Sequence, residues 1–223
     1  MTFEEFKKEF EIWRKIETPE ILDICNKQYQ QHLMIQQDNN YFEPVIEETR
    51  TDSIGIYYNK LNNILGIDNL SENQIHILIR PSFTPESLLT IEYSEETFFV
   101  YLKVLSTNYW LYIYSEAISL NIEMTKTKVK IDKELGTELF NLLNNIISEA
   151  REPNVQMFTL DGTEYQLHKI TKSKRQIVKK VYSEENSKSG QVINILNMLV
   201  DNINSIDSKV TTYIRDKIRK VKY

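Results

Sequence analysis

The amino-acid sequence predicts an α+β fold, in which a twisted antiparallel sheet of about five to seven strands is covered by two or more helices. Runs of alternating apolar and other residues, separated by turn residues, indicate antiparallel strands. In addition, the order of strands followed by an apolar-faced helix occurs twice, ending in the helical segments 135–147 and 192–203. Helices placed in this way after a group of strands cover one face of a sheet.

The stretch from Leu88 to Tyr114 is the centre of the predicted sheet. Its three runs, 88–93, 98–104 and 109–114, are rich in β-branched and aromatic residues and are separated by short polar segments. Period-two runs joined by polar turns are typical of an antiparallel meander. We therefore predict three consecutive strands here.

Amphipathic helices are predicted before the sheet as an N-terminal layer. The first has a capping box formed by Thr2 and Glu5, the second starts at Thr18-Pro19, and the third ends at Gly66. We predict that these helices, within residues 1–70, pack as a segment on the main domain. A single domain over the whole chain is the alternative.

The main α+β domain is predicted to span residues 71–223. Its first strand is 74–80, and a parity change between Met124 and Val129 predicts a bulge or two strands there. Three lysines alternate on this later segment and would point to solvent, as lysines do where they protect a sheet edge from pairing. They are Lys126, Lys128 and Lys130.

A core is predicted between the strands and the two covering helices. Each helix places leucines at spacings of three and four residues, and the strand 98–104 presents its even-numbered residues. Seven apolar residues should therefore meet. They are Phe98, Val100, Leu102, Leu139, Leu143, Leu196 and Leu199.

Composition and cysteine content predict the compartment. The 223 residues are 41% hydrophobic and 26% charged, which is ordinary for a globular protein. The single cysteine, Cys25, lies on an apolar helix stripe and fits a reducing compartment. Neither a signal peptide nor a run near the ~18 apolar residues of a membrane helix is found. We expect a cytoplasmic protein without a membrane partner.

The sequence lacks the common catalytic and phosphate-binding motifs. It has no glycine-rich phosphate loop, no His-Glu-x-x-His and no Gly-x-Ser-x-Gly. Glu164 and His168 share a strand face, but four residues at ~3.3 Å each place them ~13 Å apart, too far for one metal ion. We predict no catalytic, cofactor-binding or metal-binding residue. The alternative is an enzyme whose site the fold assembles near His76 or His168.

Charge is distributed unevenly along the chain. Residues 1–100 carry 18 acidic and 8 basic residues, whereas residues 151–223 carry 8 acidic and 14 basic ones. The acidic total and the few aromatic residues nearby oppose a dedicated nucleic-acid binder, which we keep as a second alternative. A candidate basic patch contains Lys169, Lys172, Lys174, Arg175, Lys179 and Lys180.

Trp110, Tyr112 and Tyr114 form a candidate protein interface. They share one side of the predicted strand 109–114. Trp and Tyr are frequent at the centres of protein interfaces because they bury a large area and still satisfy a polar group. The alternative is that the helices of residues 3–36 cover this side of the sheet.

The segment Leu160–Leu167, a basic hairpin, Tyr182-Ser183, a Ser/Asn-rich loop and an apolar helix follow one another in the last third. Together, over about residues 155–204, they resemble small uncharacterised bacterial proteins, some of which are similar to immunity proteins encoded beside toxins. The resemblance implies a bacterial, non-enzymatic protein and carries no catalytic residue. Our leading hypothesis is a cytoplasmic protein-interaction module, with an immunity-type inhibitor as its specific form. Its partner would be another protein or a second copy.

Overall fold

The computed structural model describes residues 1–14, 18–45, 52–110, 122–155, 162–181 and 183–221. Within them, the helices are α1 Phe3–Arg14, α2 Pro19–Asp38, α3 Ser53–Leu65, α4 Lys133–Ser148, α5 Lys188–Asp201 and α6 Ser208–Lys220. Short 3₁₀ turns follow α3 at Ile67–Asn69 and α5 at Ile203–Ser205. The strands are β1 Glu43–Pro44, β2 Gln74–Pro81, β3 Ser87–Ser94, β4 Thr97–Leu105, β5 Met124–Ile131, β6 Thr163–Thr171 and β7 Lys174–Lys180.

These seven strands form one antiparallel sheet in the order β1-β7-β6-β2-β3-β4-β5. Short turns join β2 to β3 and β3 to β4, β5 pairs with β4 after the longer connection 106–123, and β6 returns beside β2. The predicted α+β class, with an antiparallel sheet, covering helices and N-terminal helices, is confirmed.

The first face of the sheet carries the larger core. Helices α4, α5 and α6 contribute apolar residues that pack on the odd-numbered residues of β2 and β3 and the even-numbered residues of β4. All seven residues predicted to meet in one core do so, and Leu143 is fully buried among them. Arg215 of α6 forms ion pairs with Glu134 and Glu138, which ties α6 to α4.

Gly136 lets the first turn of α4 lie directly on β4. A Cβ atom at this position would come within 2.2 Å of the Phe98 ring, well inside the contact distance of two carbon atoms. Glycine lowers helix propensity, and here the close approach of the helix to the sheet requires it.

The second face of the sheet is covered over part of its area by α3. A second core joins α3 residues such as Leu61 and Leu65 to Leu78 and Leu88 of the sheet. By contrast, α1 and α2 contact each other, as in the Phe3–Tyr29 ring pair at 5.2 Å. Among the side chains that the structure describes, the second core contains none from residues 3–36.

The third strand of the predicted meander is not residues 109–114. Tyr109 and Trp110 are helical, and β5 pairs with β4 instead, from Phe98 opposite Ile131 to Leu105 opposite Met124. Residues 111–121 lie outside the described residues. Alternation could not distinguish the two candidates, because the pairing partner of β4 is a property of the whole fold.

The predicted bulge near residues 125–127 is also absent from the pairing of β5 with β4, which runs without interruption. The parity change has another cause. Met124 packs against the second core, whereas Val129 and Ile131 belong to the first. One regular strand therefore supplies apolar residues to both faces.

Candidate functional site

A row of polar side chains crosses the second face of the sheet. His168 of β6 is opposite His76 of β2, which is opposite Thr90 of β3. The row continues with Tyr101 of β4 and Lys128 of β5. Directly opposite residues in a sheet have Cβ atoms about 4.5–5.5 Å apart and point to the same face. The second face thus has a closed part, around the histidines, and an open part, on β4 and β5.

The closed part contains the two histidines that the sequence proposed only as separate sites. His76 is 4% exposed and His168 is 2% exposed. Arg175 lies over them from β7, with its Nη2 atom 3.0 Å from His168 Nδ1 and its Nη1 atom 2.8 Å from Asp68 Oδ1. Because a guanidinium only donates hydrogen bonds, His168 Nδ1 accepts one and the ring proton is on Nε2.

Both histidines are neutral at physiological pH. Burial lowers the pKa of His168 to about 3, and the positive charge of Arg175 adds to the effect. Burial also lowers the pKa of His76 to about 4, with a further contribution from Lys103. The positive charges of Arg175 and Lys103 would also repel a metal cation at this position. In the described part of the chain, no group of three or more His, Cys, Asp or Glu side chains could hold a metal ion.

Glu164 forms its hydrogen bonds with residues other than His168. Its carboxylate accepts hydrogen bonds from Arg80 and from Gln166, whose Nε2 atom is 2.6 Å away. Arg80 is one of the positive charges that lower the pKa of His168. Cys25 is buried, as predicted from its helix stripe.

The open part is a basic surface on β4 and β5. We call it the β4–β5 basic surface, and it consists of Phe99, Tyr101, Lys103, Lys126, Lys128 and Lys130. The three β5 lysines are exposed and stand directly opposite the three β4 residues. The alternation that keeps Phe98, Val100 and Leu102 in the first core places their odd-numbered neighbours on this side.

Specific contacts order the basic surface. Lys128 Nζ lies 4.2 Å from the centre of the Phe99 ring and 4.9 Å from that of Tyr101, which is within cation–π range. The Tyr101 hydroxyl donates to Glu92 Oε1 at 3.0 Å. Lys103 Nζ donates to the carbonyl of Leu65 at the end of α3. The two aromatic rings therefore hold Lys128 in place, and the end of α3 marks the boundary of the surface.

The six cations of the candidate patch at 169–180 do not form one surface. Lys180 is only 3% exposed and donates to the Asp38 carbonyl at 2.8 Å; burial lowers its pKa. Lys169 donates to Asn144 on α4, whereas Arg175 lies over the histidines on the other face. Lys179 is half-buried beside β1, and only Lys172 and Lys174 are exposed. Strand alternation sends neighbouring cations to opposite faces.

Of the candidate interface residues, Trp110 is half-buried and packs against the second core. Its ring meets that of Tyr57 edge-on, with centroids 5.0 Å apart. The fully buried carboxylate of Glu86 accepts hydrogen bonds from the Trp110 and Tyr109 backbone N–H groups, at 3.2 and 2.7 Å. Trp110 therefore belongs to the edge of the second core. Tyr112 and Tyr114 lie outside the described residues.

The sequence reading did not assign a binding role to the β4–β5 basic surface. It predicted that Lys126, Lys128 and Lys130 point to solvent, which the structure confirms, but it treated them as edge protection. The sequence does show the two residue series that form this surface, namely the odd-numbered aromatic residues of β4 and the even-numbered lysines of β5. Only the strand register brings these two series to one surface.

No protein-family model, curated protein or solved structure matches the chain. The structure also contains no helix, among the residues it describes, that is long and apolar enough to cross a membrane.

Proposed function

We propose that this chain is a non-enzymatic protein-interaction module, and that its working surface is the β4–β5 basic surface. The observation that carries the proposal is the direct opposition of exposed Lys126, Lys128 and Lys130 to Lys103, Tyr101 and Phe99. Aromatic rings with a polar or cationic partner are typical of interface centres. Clustered lysines also attract an oppositely charged surface. The partner is therefore an acidic region of another protein.

The contacts of the aromatic rings favour a protein over a nucleic acid as the partner. Single-stranded nucleic acids bind when bases stack on free aromatic faces. Here the Lys128 ammonium group lies over both rings, and the Tyr101 hydroxyl bonds to the Glu92 carboxylate. Base stacking would have to displace the lysine and would bring phosphates close to a carboxylate.

The burial of the histidine pair supports a binding function rather than an enzymatic one. A general acid or base must be within hydrogen-bond reach of its substrate. His76 and His168 are nearly inaccessible, and Arg175 occupies the Nδ1 atom of His168. The 3₁₀ turn at Ile67–Asn69 contacts His76 through the Ile67 backbone and holds Arg175 through Asp68, which supports a structural role for the pair.

Two charged polymers can test the proposal. Poly-L-glutamate and an oligothymidylate with the same number of charges should be titrated onto the protein at ~0.15 M salt, where long-range electrostatics are screened. We expect the Lys126→Glu/Lys128→Glu/Lys130→Glu variant to bind poly-L-glutamate about tenfold or more weakly than the original protein, because three attractions become repulsions. Thermal unfolding checks that the variant is folded.

A matched control separates this surface from net charge. Lys172, Lys174 and Lys209 are exposed and lie elsewhere, so their change to Glu alters the total charge by the same amount. We expect the control to retain poly-L-glutamate binding within about twofold, since screened charges far from the surface contribute little. An equal loss in both variants, or tighter binding of oligothymidylate than of poly-L-glutamate, would contradict the proposal.

Within this class we propose a cytoplasmic, immunity-type inhibitor from a bacterium. The support is the resemblance of about residues 155–204, which contain β6, β7 and α5. Each protein encoded beside this chain should be expressed in a bacterial host with and without it. Relief of growth inhibition by the original chain, and its loss in the triple lysine variant, is the expected result. If the chain relieves growth inhibition by none of the proteins encoded beside it, the inhibitor role is wrong. The proposed binding surface is then tested by the polymer experiment alone.

A further inference from the structure

Strand β5 is the last strand in the described sheet. It pairs with β4 over eight residues without a bulge, and the strand order ends at β5. Its second edge therefore has no neighbouring strand within the described residues, and the 3₁₀ turn at Ile203–Ser205 comes close to β5 from the first face. A regular edge of this length can pair with an extended segment of another chain.

The hydrogen-bond register shows which backbone groups face this edge. The Ser106 N–H donates to the Glu123 carbonyl at 2.8 Å, so these two residues form a hydrogen-bonded pair. Such pairs alternate along an antiparallel ladder, which directs the backbone groups of odd-numbered β5 residues towards β4. The N–H and C=O groups of Lys126, Lys128 and Lys130 therefore face the edge.

The same three lysines thus have their backbone groups at the edge and their side chains on the β4–β5 basic surface. In an antiparallel pair, the residue opposite each lysine would exchange two backbone hydrogen bonds with it and point its side chain to the same face. An acidic residue at that position would meet the lysine ammonium group. The partner residues that alternate with these acidic residues would lie beside Thr127 and Val129, with their side chains towards the first face.

We propose that the acidic partner binds as an extended segment that adds to β5 as a further antiparallel strand, with Asp or Glu at alternate positions opposite the three lysines. The inference rests on the proposed function, because it assigns a partner and a binding mode to the same surface. Backbone hydrogen bonds supply affinity in this mode, and alternate side chains supply specificity.

Lysines on an edge strand usually prevent pairing, and charge explains how both roles coexist. A β5 strand from a second copy would place like charges opposite one another, which is destabilising. An acidic strand would be attracted by the same residues. The lysines therefore exclude self-pairing and select an acidic segment.

The test uses a nine-residue peptide that alternates Thr and Glu, and two N-methylated versions of it. In the proposed register the Glu N–H groups face β5 and the Thr N–H groups face away. N-methylation of the Glu residues should weaken binding about tenfold or more, because it removes several backbone hydrogen bonds. N-methylation of the Thr residues is the matched control and should change the dissociation constant by about twofold or less. In parallel, amide hydrogen exchange at Lys126, Lys128 and Lys130 should slow when the parent peptide binds.

The outcomes distinguish this inference from the proposed function. If both methylated peptides bind as well as the parent, or if the lysine amides gain no protection, strand addition is wrong. Lysine-dependent binding of the parent would then still support the proposed function. If poly-L-glutamate binds through the lysines and the parent peptide does not bind, strand addition alone is overturned. If neither ligand shows lysine-dependent binding, the proposed function fails as well.

Discussion

The two faces of the sheet come from the same strands and are organised in different ways. On the first face, residues such as Ile77, Ile91 and Val100 are fully buried beneath three helices. The second face has a small apolar core under α3, a buried histidine pair, and an exposed set of lysines and aromatic residues. The first face therefore provides the larger share of apolar burial, and the second has polar groups available for binding. Four predictions test this division, from the largest expected effect to the smallest.

Truncation of a leucine should have a greater cost on the first face than on the second. Leu143 of α4 and Leu61 of α3 are both fully buried, so their changes to Ala remove the same atoms. Leu-to-Ala changes in cores cost ~2–5 kcal/mol of unfolding free energy, depending on how far the site relaxes. We expect Leu143→Ala in the upper half of this range and Leu61→Ala in the lower half, because the second core is the smaller of the two. Urea unfolding measures both, and the reverse order would contradict the division.

The histidine pair should make the second face sensitive to acid. The folded-state pKa values of His76 and His168, about 4 and about 3, lie below the ordinary value of ~6.5. The unfolded chain therefore binds more protons than the folded chain in acid. The stability provided by the neutral histidines is complete above pH ~6.5 and is lost as the pH falls towards 4 and 3.

The slope of unfolding free energy against pH should approach ~1.4 kcal/mol per pH unit for each histidine below pH ~6. Urea unfolding at several pH values between 7 and 5 measures it. The His76→Gln/His168→Gln variant should have a shallower slope, and each single variant an intermediate one. An unchanged slope in the double variant would show that the pair does not link the second face to pH.

Gly136→Ala should destabilise the first face although alanine favours helices. The added Cβ atom would lie 2.2 Å from the Phe98 ring, and overpacking in a core costs ~1–3 kcal/mol. The Gly136→Ala/Phe98→Leu variant should recover part of this loss, because the smaller side chain leaves room for the methyl group. Thermal unfolding of the two variants and the original protein measures these effects. A Gly136→Ala protein more stable than the original would show that α4 can shift away from Phe98 without loss.

Trp110 should contribute to stability and not to association. Its ring packs on Tyr57 and its backbone N–H bonds to Glu86. We expect Trp110→Ser to cost ~1–2 kcal/mol, below the range of a fully buried tryptophan because the side chain is only half-buried. Calorimetry and poly-L-glutamate titration should be measured together. If Trp110→Ser binds poly-L-glutamate more weakly and its stability is unchanged, Trp110 is an interface residue and this prediction is wrong.

Apart from the strand predicted at 109–114, the sequence alone determined the main secondary-structure classes and the composition of the first core. Helix faces have a period near 3.6 and strand faces a period of 2, so Leu139, Leu143 and Val100 could be assigned to a core before their contacts were known. The capping box was equally local, and the Thr2 N–H does donate to Glu5 Oε2 at 2.7 Å. Such features depend on residues a few positions apart, which the sequence displays directly.

Only the tertiary structure decided which residues share a surface. His76 and His168 are 92 positions apart and become neighbours because β6 returns beside β2. The β4 aromatic residues meet the β5 lysines because β5, and not residues 109–114, pairs with β4. Conversely, Lys169 and Lys180 look alike in the sequence as basic residues of one patch, yet one contacts α4 and the other the end of α2. The physical reason is that strand register and the face of each side chain depend on contacts between distant parts of the chain, whereas periodicity is a local property.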